Sequence, residues 1–73
     1  MITYLSVTFS SEGARPSEIV DRLVAIGFKP TKGNFDFKYE WDKKAKIEDA
    51  IWIADKIHET LKGMDVRYHT ETQ

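Results

Sequence analysis

Phe35-Asp36-Phe37-Lys38-Tyr39-Glu40-Trp41 alternates ring and charge at every step. Successive side chains of a β-strand point to opposite faces. An extended chain here therefore carries Phe35, Phe37, Tyr39 and Trp41 on one side and Asp36, Lys38 and Glu40 on the other. Coiled into a helix, the same residues would scatter around the cylinder. The stretch reads as a central strand with one buried face and one in water.

On its N-terminal side, Gly33-Asn34 has the glycine-first form of a two-residue type II′ hairpin turn. That turn sets Lys32 opposite Phe35, Pro30 opposite Phe37 and Phe28 opposite Tyr39, so Phe28 joins the aromatic face. Phe28 to Lys32 is then a short strand. Pro30 cannot donate to a ladder, which puts this strand at a sheet edge.

The flanking segments complete the pattern. Ile2 to Ser10 alternates, with Leu5, Val7 and Phe9 on one face and Tyr4, Ser6 and Thr8 on the other. Pro16 suits the first turn of a helix, Glu18 complements its positive end, and Ile19, Val20, Leu23 and Ile26 make an apolar stripe that Gly27 ends. Past the charged connection Asp42-Lys43-Lys44-Ala45-Lys46, a second helix is expected over Ile47 to Lys62. Its stripe is Ile47, Ala50, Ile51, Ala54, Ile57 and Leu61, and Gly63 stops it. Met64 to Thr70 reads as a last strand, with Arg67 and His69 on its polar side, and Glu71-Thr72-Gln73 as a frayed tail.

The order β-α-β-β-α-β over residues 1–73 resembles the ferredoxin-like plait. Right-handed crossovers would give an α+β two-layer sandwich, a four-stranded antiparallel sheet of order 4-1-3-2 with both helices on one face. That fold hosts many unrelated activities, so function has to be read from particular residues.

Composition narrows the classes. A chain of 73 residues makes one domain, and 41% hydrophobic with 32% charged residues suits a packed core. The longest apolar runs are too short to cross a bilayer, and Met1-Ile2-Thr3-Tyr4 lacks the form of a signal peptide. Together with the absence of cysteine, this points to the cytoplasm as the expected location. A net charge of −1 lacks the cationic surplus of a general nucleic-acid binder.

Trp52 is the residue out of place. It lies roughly 160° from the apolar stripe of its helix, at 100° per residue, amid Glu48, Asp49, Asp55, Lys56 and Glu59. A large aromatic on a polar face marks an interaction anchor, with Ile53 at the stripe's edge and Lys56 beside it. The plainer alternative is a lone tryptophan lying over the stems of Lys56 and Glu48. The sheet face away from the helices is the second candidate, carrying Tyr4, Ser6, Thr8, Lys29, Thr31, Asp36, Lys38, Glu40, Arg67 and His69. Such faces bind a second copy, a protein or RNA; a solvated mixed-charge surface is the plainer reading.

Lys32-Gly33-Asn34-Phe35-Asp36-Phe37-Lys38-Tyr39 resembles the third-strand signature of RNA-recognition motifs in its Lys-Gly start and final Phe-x-Tyr. The positions for exposed stacking aromatics hold Asn34 and Asp36, which leaves Tyr4 without partners, so single-stranded nucleic-acid binding is expected to be weak. A third candidate is the loop after the first strand. Ser10, Ser11, Gly13 and Arg15, with Lys32 and Lys62 at the same end of the fold, approach a helix N-terminus that suits a small anion. The place resembles the ligand loop of ACT regulatory domains, which implies a regulatory domain binding a small anionic ligand. Glu12-Gly13-Ala14-Arg15-Pro16 stands where ACT domains have an acidic-Pro-Gly start.

No catalytic constellation emerges. The aromatic hairpin is similar to those of CRISPR-associated plait nucleases and VapD toxins, but Ser6, Thr8 and Ser10 occupy the region where the nucleases hold a metal with an acid. The acylphosphatase plait needs an arginine loop and an asparagine; Arg15 suits the first, while Asn34 belongs to the hairpin tip. His58 and His69 are expected on opposite sides of the sheet, so no shared metal site follows. Asp36 and Glu40 would stand roughly 13 Å apart along one strand, too far for an acid–base pair. The expectation is a non-enzymatic domain without cofactor that works by association with itself or a protein partner.

Overall fold

The computed structural model describes residues 1–73 and contains β1 (Ile2–Thr8), α1 (Pro16–Ala25), β2 (Lys29–Pro30), β3 (Phe37–Glu40), α2 (Ile47–Leu61) and β4 (Arg67–Thr72). The strands form one antiparallel sheet in the order β2-β3-β1-β4. Leu5 and Phe37 from the sheet, Phe28, Ile19 and Leu23 from α1, Ile53, Ile57 and Leu61 from α2, and Met64 make a single buried cluster. This α+β arrangement is compatible with a ferredoxin-like fold.

The hairpin keeps the register that a two-residue turn would set, although no backbone hydrogen bond joins Lys32 to Phe35 to close Gly33-Asn34. Lys29 pairs with Lys38 and Pro30 with Phe37, and the Thr31 N–H reaches the Asp36 carbonyl at 2.9 Å. Phe28 is buried and meets Tyr39 edge-on, ring centres 5.5 Å apart. The strand itself is only two residues long, because Pro30 supplies no donor and the tip from Lys32 to Phe35 opens away.

At its start the aromatic strand departs from strict alternation. The Asp36 N–H donates to the Leu5 carbonyl at 3.0 Å, while Phe37 is the register partner of Leu5. Two residues thus face one, as in a β-bulge. The Asp36 carboxylate then accepts the Val7 N–H at 2.9 Å and ends the pairing of β1 with this segment. A one-residue slip reverses every side chain before it. Phe35 accordingly leaves the core side and stacks on Tyr4, ring centres 4.9 Å apart, on the face opposite buried Thr3 and Leu5. Phe37, Tyr39 and Trp41 remain with the core.

Other expected boundaries move as well. β1 stops at Thr8, leaving Phe9 exposed. β4 begins at Arg67 instead of Met64 and runs through Glu71 and Thr72. Gln73 and Ile2 exchange backbone hydrogen bonds at 2.8 Å, so the segment expected to fray is paired. A polar relay helps to hold it. The Trp41 indole N–H donates to the Thr3 hydroxyl at 2.8 Å, and that hydroxyl shares a 2.9 Å bond with Thr72. Thr3 is the one buried polar residue, and it is satisfied.

α1 ends in a Schellman motif: the Phe28 N–H reaches the Leu23 carbonyl and the Gly27 N–H that of Val24. Gly27 has φ +109°, and a Cβ there would lie 2.7 Å from the Tyr39 ring. α2 starts where the Asp49 carboxylate accepts the Lys46 N–H at 2.7 Å. Its buried residues are Ile53, Ile57 and Leu61, one turn apart. The helix is therefore rotated from the expected stripe, with Ile47 and Ile51 in solvent and Ile53 fully buried.

Candidate functional site

Both surfaces singled out from the sequence exist, with changed membership. On α2, Trp52 is 54% exposed, Ile51 58% and Ile47 74%. Lys56 is exposed and takes no part in an ion pair. Ile53 cannot contribute, because its side chain belongs to the core. The reason is geometric: α2 carries isoleucine or alanine through much of its circumference, and only one arc meets the sheet.

The sheet face away from the cluster holds Tyr4, Ser6, Lys38, Glu40, Arg67, His69 and Glu71, as the registers Tyr4↔Lys38, Tyr4↔Glu71, Ser6↔His69 and Thr8↔Arg67 require. Its centre is the Tyr4–Phe35 stack. Lys38 contacts Glu40 at 2.8 Å, and His69 contacts Glu71 at 3.1 Å. The hydrogen bond from Lys38, then its charge, lowers the Glu40 pKa below 4.5; the same contact raises that of Lys38. Glu71 is lowered chiefly by its bond to His69, then by one to Gln73. Asp36, expected on this face, is engaged with the Val7 N–H. Sequence reading missed Phe35 on this face. The available signal was an aspartate beside a Gly-Asn tip, where a short side chain can cap a neighbouring strand.

The loop from Ser10 to Arg15 is packed against the backbone instead of around an opening. The Glu12 N–H donates to the Ser10 hydroxyl, the Gly13 N–H to the Ser10 carbonyl and the Ala14 N–H to the Met64 carbonyl. A Cβ on Gly13 would stand 2.3 Å from the Met64 oxygen and 2.8 Å from that of Asp65. Three of the loop's N–H groups, those of Glu12, Gly13 and Ala14, are thus already bonded, and Pro16 has none. Ser11 and Arg15 are exposed, and Lys32 is exposed at the hairpin tip with no hydrogen bond or ion pair to this loop. Ser10 instead borders a small hollow with Thr8, Phe9, Asp65 and Arg67.

A groove runs between the end of α2 and β4, lined by His58, Leu61, Lys62, Asp65, Val66 and Tyr68. No group of three or more His, Cys, Asp or Glu side chains converges anywhere, and no ionisable side chain is buried. No helix is long and apolar enough to cross a membrane. Comparison with known proteins adds no family: no family model matches the chain, and neither the curated proteins nor the solved structures give a match.

Proposed function

We propose that this chain is a ferredoxin-like plait that works by protein association through the outer surface of α2, centred on Trp52. The observation that carries the reading is a large aromatic and two isoleucines, Ile47 and Ile51, left in solvent by a helix that buries its other large apolar residues. Full burial of such a side chain contributes about 1.5–3 kcal/mol; the exposed part of each forgoes a share of that, which a partner surface recovers. Ile51 and Ile47, both exposed, stand in this reading where spacing had put Ile53. The strand order β2-β3-β1-β4 and the single cluster joining both helices to the sheet support the two-layer form.

A photo-crosslinking residue at position 52, compared with one at Glu59 on the same helix, tests this. The expected result is a discrete protein adduct from position 52 that Ile51→Ser abolishes. An identical pattern from both positions, or none from 52, overturns the reading. Trp52→Ala itself should leave unfolding stability within about 0.5 kcal/mol.

A further inference from the structure

The two edges of the sheet differ in kind. β2 is two residues long and contains Pro30, a protected edge. β4 is six residues long, without proline or glycine, and pairs with β1 on one side only. Ile2 and Gln73 exchange both backbone hydrogen bonds, which fixes the alternation along the ladder. Glu71, His69 and Arg67 turn their backbone groups toward β1, and Tyr68, Thr70 and Thr72 turn theirs away from the sheet. None of the hydrogen bonds outside the ladders uses those outward groups.

The side chains of this edge make a palindrome of charge. Arg67, His69 and Glu71 share the open sheet face, positive at one end and negative at the other. We propose that β4 is a self-association edge: two copies pair antiparallel, β4 against β4, with Arg67 of each opposite Glu71 of the other. The two-fold axis then passes through His69, which faces itself, and Tyr68 lies opposite Thr70. This register uses the outward backbone groups of Tyr68, Thr70 and Thr72 for the new hydrogen bonds. It leaves Arg67 and Glu71 in the non-hydrogen-bonded pairs, where side chains approach most closely. Edges that avoid such pairing carry like charge, commonly lysine, whereas this one is complementary to itself. The sheet doubles, and both open faces lie on the same side. This goes beyond association through α2 and uses none of its residues.

Sedimentation over a concentration series up to millimolar tests the register by charge exchange. The parent chain should form a dimer. Glu71→Arg alone and Arg67→Glu alone should each weaken it roughly tenfold or more, since two opposite-charge pairs become like-charge pairs. An equimolar mixture of the two variants, and the double variant Arg67→Glu/Glu71→Arg, should recover it. Amide exchange at Tyr68, Thr70 and Thr72 should slow as concentration rises, and Trp52→Ala should change neither readout. A chain that stays monomeric at millimolar concentration overturns the pairing. So does a dimer indifferent to the charge exchange, or one that Trp52→Ala dissolves; that last result would instead favour self-association through α2.

Discussion

The two helices are both amphipathic, yet only one of them announces its buried face. α1 has Ile19, Val20, Leu23 and Ile26 on one arc, and Ile19 and Leu23 are the residues it buries. α2 has Ile47, Ala50, Ile51, Ile53, Ala54, Ile57 and Leu61 spread over a wider arc, with Trp52 beyond it, and buries Ile53, Ile57 and Leu61. A helix laid on a sheet presents one stripe to it. When apolar residues just fill that stripe, the sequence names the face. When they overfill it, packing chooses among several rotations, and the surplus is left outside. Surplus on α2 is both why its orientation was misjudged and why it is the candidate surface.

The largest effect that would break this contrast is in the core of α2. Ile53→Ala should cost about 2–5 kcal/mol, whereas Ile51→Ala should stay within about 0.5 kcal/mol, both read by urea denaturation. Equal costs, or the reverse order, would restore the rotation inferred from spacing.

Next comes the end of α1, which is set by one residue. Gly27→Ala must place a Cβ at positive φ and against the Tyr39 ring, and about 1–3 kcal/mol of stability should be lost. A melting temperature equal to that of the parent would mean that α1 ends elsewhere and that its stripe is not held as described.

The smallest effect lies outside both helices and calibrates them. Glu40 has a lowered pKa in the folded chain because it accepts from Lys38. A lowered carboxyl pKa adds stability that is present above the unfolded value near 4.5 and is lost as pH falls through the folded value. Carboxyl carbon titration should find Glu40 below its ordinary value in the parent and shifted upward in Lys38→Met, where only the charge of Lys29 still lowers it. Both groups are in solvent, so the change in overall stability should be small beside either helix substitution.

Strand residues were legible wherever period two was uninterrupted. Phe37, Tyr39 and Trp41, the edge position of Pro30, and the open-face positions of Tyr4, Lys38 and His69 all follow from local order alone. Phe35 does not, because its reversal depends on Asp36 reaching Val7, 29 positions away in sequence. The paired state of Glu71 and Thr72 was hidden for the same reason: its cause lies in Thr3 and Ile2. Of the candidate surfaces, Trp52 was recognisable as odd on a polar face that includes Lys56, whereas the role given to Ile53 depended on a rotation that local spacing leaves open. The Ser10–Arg15 loop looked receptive because its glycine and serines suit an anion, but those same small residues let it lie against the Met64–Asp65 backbone.

The hydrogen bond between the Thr3 and Thr72 hydroxyls joins residues 69 positions apart. β3, the first neighbour of β1 to be synthesised, completes only one of its flanks, and the other stays empty until residue 72 has left the ribosome. Such remote partners slow folding and leave β1 open to wrong pairings during synthesis. The opening strand is therefore the last element of the sheet to have both of its edges filled.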